Sequence, residues 1–312
     1  MSFFFRKSRK LNAFRIILIM TNPNPRIAES ELIINPSGTI YHLNIHPEDV
    51  AENVILVGDP DRVEKISARF GKIVTRSRNR EIVCNTGFFN NKFLTVLSTG
   101  MGTDNIDIVI NELDALVNVD FATRTIKPQH TSLNIVRLGT SGAVQPDIPV
   151  DTFAASTHGI GLDGLLKFYD SSHVVDQELS DAFIQQTGWH EDLPYPYAVA
   201  CSPSLFGKLS DGMHTGITAT APGFYGPQGR VIRIPLQHPQ LMDKMAALRY
   251  NGHRIINFEM ETSALYGLGK LLGHQTLTVC AIIANRANST YSKDHHKAVD
   301  RLIDLVLERI TT

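Results

Sequence analysis

Short apolar segments alternate with amphipathic segments along most of this 312-residue chain. "NVILVG" and "KFLTVLSTG" have the continuous apolar character of buried strands, whereas "TDNIDIVINELDALVN" repeats its apolar residues with the period of a helix. "NIVRLGTSGA", "DTFAAST", "RIINFEM" and "TLTVCAIIAN" predict further strands, the first of them ending in a glycine-rich turn. "ETSALYGLGKLLGH" and "HKAVDRLIDLVLERI" predict further helices. This alternation predicts an α/β fold in which helices cover a largely buried sheet.

The chain has no internal repeat and no low-complexity linker, so we predict one folded domain. We place this domain at residues 41–312, after a partly disordered N-terminal extension over residues 1–40. The first twenty residues are basic and then apolar, but no small-residue cleavage site follows, which disfavours a secretory signal. The segment from Asp170 to Pro235 is rich in Pro and Gly, and we expect it to be mostly loop.

Composition argues against several classes of protein. A net charge of −1 argues against a nucleic-acid binder held by a basic face. No apolar run reaches the roughly 18–20 residues needed to cross a bilayer, so no membrane partner is expected. Cys84, Cys201 and Cys280 are widely spaced and form no C-x-x-C pair, which disfavours zinc and redox motifs. Few cysteines also favour a reducing, cytoplasmic location.

Polar residues follow several predicted strands, and ligands of open α/β sheets bind beyond the carboxyl ends of strands. In "GDPDR", Asp59 and Pro60 predict the start of a helix. Arg62 then lies in the first helical turn, where the helix dipole disfavours a cation unless an anion lies nearby. The alternative is a solvated surface arginine.

Arg137 lies inside the apolar strand of "VRLGTSGA". A buried guanidinium must meet either a carboxylate or a bound anion, because leaving it unpaired would cost several kcal/mol. The following residues, 139–142, offer backbone N–H groups and hydroxyls in a tight turn that suits phosphate. Both the internal ion pair and the anion site remain open at this point.

Two other strand ends carry weaker signals. "STGMGTDN" has Asn105 where a dinucleotide-binding fingerprint requires its third glycine, so that fingerprint is incomplete. In "FEMET", Glu261 begins a helix, and no histidine pattern nearby indicates a metal site. This carboxylate could simply favour the helix dipole, or it could accept hydrogen bonds from the vicinal diol of a ribose.

Taken together, "GDPDRVEKI", "STGMG", "VRLGTSGAVQP", "FYGPQGR" and "NFEMETSALYGLGKLLG" resemble the nucleoside phosphorylase-I family, and within it the uridine-cleaving members. The resemblance runs from about Tyr41 to the C-terminus. It implies a single-domain α/β/α sandwich with a central mixed sheet, assembled as a homodimer or homohexamer whose active sites are shared across the dimer interface. It also implies reversible cleavage of uridine by inorganic phosphate to uracil and ribose 1-phosphate, with phosphate as co-substrate and no cofactor.

The same resemblance implies a role for individual residues. Arg80 is expected to reach the phosphate of the neighbouring subunit, and His42 is expected to cross the interface to the ribose 5′-hydroxyl. Glu261 is expected to bind the 2′- and 3′-hydroxyls, with Glu259 structural. Arg137, Gln228 and Arg230 are expected to carry catalysis. The full sets are Gly58, Arg62, Arg80, Arg137 and Thr140 for phosphate; His42, Thr140, Met260 and Glu261 for ribose; and Phe224, Gln228 and Arg230 for the base.

Two positions narrow the expected chemistry further. Purine-cleaving relatives place an aspartate after the late strand, where this chain has Asn285, so a pyrimidine substrate is favoured. Asn105 stands where bacterial relatives can have a serine near an interfacial potassium ion, so no metal is expected. A purine or broad-specificity phosphorylase, a hydrolase using water, and a non-catalytic nucleoside-binding protein remain as alternatives.

Overall fold

The computed structural model describes residues 24–312, so the features expected over residues 1–23 lie outside it. The strands of the described region are β1 (Asn53–Val57), β2 (Lys72–Asn79), β3 (Ile82–Phe89), β4 (Lys92–Ser98), β5 (Val119–Asp120), β6 (Thr125–Ile126), β7 (Asn134–Ala143), β8 (Phe153–Gly161), β9 (Tyr197–Ala200), β10 (His214–Thr220), β11 (Ile255–Glu259), β12 (Gln275–Asn285) and β13 (Thr290–Tyr291). The α-helices of that region are α1 (Pro60–Ser67), α2 (Thr103–Asn118), α3 (Gln177–Thr187), α4 (Pro203–Leu209), α5 (Leu241–Ala247), α6 (Thr262–Leu271) and α7 (His295–Thr311). Short 3₁₀ turns span Pro47–Asp49, Leu165–Phe168 and Gly226–Gln228.

All strands except the β5–β6 hairpin belong to one mixed sheet, in the order β13-β12-β8-β10-β11-β7-β1-β4-β3-β2, with β9 pairing with β8. Strand β12 also pairs with β7, so β7, β11, β10, β8 and β12 form a closed ring of neighbouring strands. Parallel pairs such as β1 with β7 and β7 with β12 bring their carboxyl ends to one side. This mixed sheet confirms the predicted α/β fold.

Helices cover both faces of the sheet, and β1 shows why its sequence is apolar throughout. Val54 and Leu56 pack in a core with α2 and α6, whereas Ile55 and Val57 pack in a second core with α1, α4 and α7. Successive side chains of a strand point to opposite faces, so a strand buried on both sides loses the polar alternation of a half-exposed one. A third core joins α3 and α5 to β8, β10 and β11.

Strand β7 differs from its prediction at the carboxyl end. "NIVRLGTSGA" does not end in a turn, because residues Gly139 to Ala143 continue to pair in parallel with β12. Asn257 also donates a side-chain hydrogen bond to the Ser141 hydroxyl at 2.8 Å, which ties this end of β7 to β11. These small residues therefore extend the strand and do not form a phosphate-binding turn.

The segment from Asp170 to Pro235 is also more regular than predicted. It contains α3, β9, α4 and β10, and Asp176 and Ser202 cap the two helices by accepting hydrogen bonds from Leu179 and Leu205. Strand β10 has the sequence "HTGITAT". The hydroxyls of its buried threonines donate hydrogen bonds to the side chains of Asn257 and Glu259 on the neighbouring strand. Because these strand residues are polar, an apolar-run criterion misses them.

The packed region begins before residue 41. Leu32 and Ile40 are buried in the core beside α2 and α6, and Ile34 forms an isolated antiparallel bridge with Ile40. Residues 24–40, which the sequence assigns to the extension, are thus part of the packed structure. Over residues 24–312, no helix combines the length and apolarity required to cross a membrane.

We predict that Gly159→Ala destabilises the protein by about 1–3 kcal/mol, because the added methyl would overpack the core. A Cβ at Gly159 in β8 would lie 2.8 Å from Cα and 2.9 Å from the backbone nitrogen of Ser263, in the first turn of α6. The Ser263 backbone cannot make room for the methyl unless α6 moves away from β8. Urea unfolding midpoints of the purified variants measure the effect.

The matched control is Gly207→Ala in α4, where a Cβ has nothing within 4 Å. Replacing an exposed helical glycine with alanine should stabilise the protein by roughly 0.5–1 kcal/mol. Equal unfolding midpoints for the two variants would contradict the close approach of β8 and α6.

Candidate active site

A cavity of about 550 Å³ opens at the carboxyl ends of β1, β4, β7, β11 and β12. Its lining brings together every sequence-predicted site residue except His42 and Arg80. The predicted residues that line it are Gly58, Arg62, Arg137, Thr140, Phe224, Gln228, Arg230, Met260 and Glu261. Residues from distant parts of the chain therefore meet in one place, as strand-end motifs of an α/β sheet predict.

Arg62 reaches the cavity from the first turn of α1. Asp59 caps this helix by accepting a hydrogen bond from the Asp61 N–H at 3.0 Å, as "GDPDR" predicts. The Arg62 guanidinium donates to the carbonyl of Leu138 at 3.1 Å. Burial lowers the pKa of Arg62, and the neighbouring charge of Arg137 lowers it further. Arg62 is thus a largely buried cation beside a second one, which a bound anion would stabilise.

Arg137 itself meets two carboxylates. Its guanidinium pairs with Glu259 at 3.2 Å and forms a short contact with Glu261, and all three side chains are buried. Burial alone would lower the pKa of Arg137, but Glu261 and Glu259 more than offset this effect and raise it. The internal ion pair left open by the sequence is therefore present. Because Arg137 also lines the cavity, the ion pair does not remove it from the site.

The two glutamates of "FEMET" have different surroundings. Glu259 accepts hydrogen bonds from the Glu261 N–H at 2.9 Å, from the Thr262 N–H at 3.0 Å and from the Thr220 hydroxyl at 2.8 Å. Its carboxylate thus fixes the start of α6, as expected for a structural residue. Glu261 instead accepts from the Gly102 N–H at 2.8 Å and pairs with Arg137. Burial raises the pKa of Glu261, although Arg137 opposes this shift.

The segment from Phe224 to Arg230 forms the other end of the cavity. Arg230 donates to the carbonyl of Phe224 at 2.7 Å and to the side-chain oxygen of Gln228 at 2.5 Å. Its guanidinium also lies over the Phe224 ring, 3.8 Å from the centroid. Gln228 is buried, whereas about half of Phe224 is exposed. These contacts lock the three predicted base-binding side chains into one unit.

Arg286 is a residue that the sequence prediction missed. Its guanidinium donates to the backbone carbonyls of Gln228, through a short contact, and of Gly229 at 3.2 Å. Burial lowers the pKa of Arg230, and repulsion by Arg286 lowers it further. The available signal was a cation directly after the late strand β12, in "ANRAN".

Asn285, the neighbour of Arg286, faces away from the cavity lining. Its buried amide donates to the carbonyls of Gln145 at 2.8 Å and Ile148 at 2.7 Å. It also accepts from the Asn288 N–H at 3.0 Å. This side chain is therefore a structural anchor, and its amide has no proton to give a leaving group readily.

His42 and Arg80 lie outside this cavity. The His42 ring contacts Glu112 at 2.5 Å through Nδ1, and the His42 backbone N–H donates to the same carboxylate at 3.0 Å. Arg80 is exposed in the turn between β2 and β3, with φ at +54°. The structure of one chain thus does not bring them to the other predicted site residues.

Asp114, His130 and His274 are the only described side chains of metal-ligating type that cluster in a group of three, with ligand atoms within 4.8 Å. A hydrogen bond to the backbone orients each histidine ring of this group. Leu133 donates its N–H to His274 Nδ1 at 3.1 Å, so the proton of a neutral ring is on Nε2, which lies 3.4 Å from Asp114 but makes no hydrogen bond. His130 Nε2 lies 2.8 Å from the Leu272 carbonyl, so it is also a donor. None of the three lines the cavity.

Comparison with known proteins identifies the family to which the chain is similar. The family model described as "Phosphorylase superfamily" matches residues 52–311. The chain is 31% identical to a uridine phosphorylase of Thermococcus kodakarensis over 83% of this chain and 82% of that protein. It is 28% identical to a uridine phosphorylase of Salmonella typhimurium, covering 79% and 86% of the two chains.

Among solved structures, the chain is similar to a Trypanosoma brucei nucleoside phosphorylase whose crystal structure is described as showing uridine phosphorylase activity. The TM-score is 0.82 at 30% identity, and the match covers 90% of this chain and all of that one. The likeness therefore extends over nearly the whole described fold.

Because the guanidiniums of Arg62 and Arg137 lie close together, we predict that inorganic phosphate stabilises the protein. We expect Arg62→Ala to remove most of this stabilisation. Ligand at ten times its Kd stabilises the folded state by roughly 1.4 kcal/mol. Thermal unfolding with and without phosphate measures the increment. Arg69→Ala is the control, because Arg69 pairs with Asp300 and Asp304 on α7 outside the cavity. The same phosphate increment in both variants would argue against an anion at Arg62.

Proposed function

The chain belongs to the phosphorylase superfamily, and we propose that it is a uridine phosphorylase, which cleaves uridine reversibly with inorganic phosphate to give uracil and ribose 1-phosphate. The membership confirms the family resemblance carried by the sequence motifs. The observation that carries the activity is one cavity with the Arg62–Arg137 pair, the Glu261 carboxylate and the Gln228–Arg230 unit in its lining. These three groups match the three components of a phosphorolysis reaction: phosphate, ribose and base.

We propose that phosphate binds where Arg62 and Arg137 approach one another, together with Gly58 and Thr140. Burial and, second, the charge of Arg137 lower the pKa of Arg62, and a bound anion would oppose both effects, which supports this assignment. Arginine also suits the planar, multidentate recognition of phosphate oxygens.

The proposed ribose site is Glu261, with Met260 and Thr140 beside it in the cavity lining. An ionised carboxylate only accepts hydrogen bonds, so it complements the two donor hydroxyls of a ribose diol. Ribose hydroxyls would compete with Arg137 for the Glu261 oxygens. Glu259, which is held by the start of α6, still compensates the charge of Arg137 when Glu261 turns to the sugar.

The proposed base site is the unit of Phe224, Gln228 and Arg230. Gln228 carries both donor and acceptor atoms for the amide-like edge of uracil. Arg230 covers one face of the Phe224 ring, and the half-exposed ring offers its remaining surface to the base. The backbone around Gln228 is fixed by Arg286, so the recognition atoms are held before substrate arrives.

In the proposed mechanism the protein positions the reactants and stabilises charge without forming a covalent intermediate. As the glycosidic bond lengthens, the ribose becomes cationic and phosphate at Arg62 and Arg137 stabilises it. Negative charge develops on uracil, and Arg230 with Gln228 stabilises that charge. A uracil anion leaves without prior protonation, so an asparagine at position 285 is compatible with this route. Phosphate serves as co-substrate, and no resident cofactor is proposed.

We also propose that the active site is completed across a subunit interface, in a homodimer or homohexamer. Arg80 is exposed and His42 is only partly buried, yet neither lines the cavity of its own chain. This supports a role for both in the neighbouring subunit. A cytoplasmic location is proposed with this function, supported by three free thiols, at Cys84, Cys201 and Cys280.

The decisive experiment follows the ultraviolet absorbance of uridine with purified protein, with and without phosphate, beside inosine and thymidine. We expect phosphate-dependent loss of uridine that exceeds the loss of inosine. Preferred cleavage of inosine would instead identify a purine phosphorylase, and a rate independent of phosphate would identify a hydrolase. Binding of uridine without turnover would identify a non-catalytic binding protein.

We predict that Arg230→Ala lowers the turnover of uridine at least tenfold, because a lost preorganised contact to a developing anion typically costs about 3–4 kcal/mol. Steady-state kinetics at saturating phosphate measure the change. Arg233→Ala is the matched control, because Arg233 is an exposed arginine three residues away that does not line the cavity. Near-normal turnover by Arg230→Ala would disprove the role given to this guanidinium.

A further inference from the structure

Tyr291 lies in the cavity wall but outside every motif that carries the family resemblance. It belongs to β13, which folds back on the end of β12 so that Tyr291 pairs with Ala284. Ala284 in turn pairs with Gly142 of β7. Side chains of directly paired residues stand on the same face of a sheet, so the Tyr291 ring stands beside Ala284 and Gly142 in the lining.

The backbone that presents this ring is anchored at both ends. The Ser292 N–H donates to the carbonyl of Ile283 at 2.8 Å, and its hydroxyl donates to Asp151 at 2.5 Å. At the other end of the hairpin, Asn285 is held by three hydrogen bonds to residues 145, 148 and 288. Asn285 and Ser292 are buried, whereas Tyr291 between them is 62% exposed. The hairpin therefore holds an exposed aromatic ring at a fixed place in the cavity wall.

The position of Tyr291 relative to Arg230 identifies what the ring faces. A Cβ placed on Gly142 would lie 3.9 Å from Nη2 of Arg230, so the guanidinium lies close to Gly142. Neighbouring strands are about 4.8 Å apart, so the backbone of Tyr291 is roughly 10 Å from Gly142, two strands away. The Tyr291 ring and the Phe224–Arg230 segment therefore line the same cavity, and the paired residues Ala284 and Gly142 connect the backbone of Tyr291 to the position of Arg230.

The hydroxyl of Tyr291 is available as well. Within residues 24–312 it has no hydrogen-bond partner, and the nearest ring is His295, with centroids 6.2 Å apart. A tyrosine offers a large apolar surface and one polar tip, and it loses little side-chain entropy when it contacts a ligand. These properties suit a planar heterocycle with polar edges.

From these observations we infer that Tyr291 is a substrate-binding residue that contacts the nucleoside base from the side of the cavity opposite the Phe224–Arg230 segment. The inference rests on the proposed function, because it assumes that the base occupies the Gln228–Arg230 end. Tyr291 then contributes to the affinity for the nucleoside, and the arginines bind phosphate without it.

The test compares wild type, Tyr291→Phe and Tyr291→Ala by steady-state kinetics with uridine and phosphate varied separately. For Tyr291→Ala we expect the KM of uridine to rise about five- to tenfold, the scale of one lost aromatic contact. The kcat and the KM of phosphate should stay within about twofold, and Tyr291→Phe should lie between wild type and Tyr291→Ala. Tyr195→Ala is the control, because Tyr195 is a partly exposed tyrosine that does not line the cavity.

An unchanged KM of uridine in Tyr291→Ala would overturn the inference. A parallel rise in the KM of phosphate would also overturn it, because that result indicates a general distortion of the site. Calorimetric binding of uridine to the same variants separates this inference from the proposed function. If wild type binds uridine without turnover and only Tyr291→Ala binds it more weakly, the proposed activity is wrong but the contact between Tyr291 and the base is supported. If wild type shows neither binding nor turnover, both are wrong.

Discussion

Arg137 lies in a strand whose neighbouring residues are buried on both faces of the sheet, and its charge is compensated by Glu259 and Glu261 from the end of β11. Removing either carboxylate would leave a buried charge partly unpaired, which is among the most destabilising changes in a protein interior. The ion pair therefore fixes where β11 ends and where α6 begins. Since Glu259 also caps α6, one carboxylate joins the sheet, the helix and the buried cation.

A second constraint is that the cavity has cations in close pairs at both of its ends. Arg62 lies beside Arg137, and Arg230 lies beside Arg286; burial lowers the pKa of the first residue of each pair, and repulsion by the second lowers it further. Such pairs oppose folding, and the protein tolerates them because backbone carbonyls and carboxylates hold each guanidinium in place. For the proposed reaction this arrangement is useful, because phosphate arrives as an anion and uracil leaves with negative charge.

The sequence predicted the start of α1 and the need for a partner at Arg137 because both signals are local. Asp59 and Pro60 specify the start of α1 through chemistry within a few residues, and the buried Arg137 had to meet an anion or a carboxylate wherever it lay. What the sequence could not supply were contacts between distant segments. Thr218 in β10 looks like a loop residue until Asn257 satisfies its hydroxyl, and nothing near Gln228 indicates that Arg286 fixes its backbone.

The polar partners of Glu261 limit how much free energy a bound ribose can contribute. Glu261, the proposed ribose ligand, is bound to Arg137 and to the Gly102 N–H, so its buried charge is satisfied before a sugar arrives. A ribose that replaces one of these contacts exchanges one hydrogen bond for another, and the net gain is modest. Most of the binding energy for the nucleoside must then come from elsewhere in the cavity. The apolar surfaces of Phe224 and Met260 are available for this purpose, since they need not give up a hydrogen bond to contact the substrate.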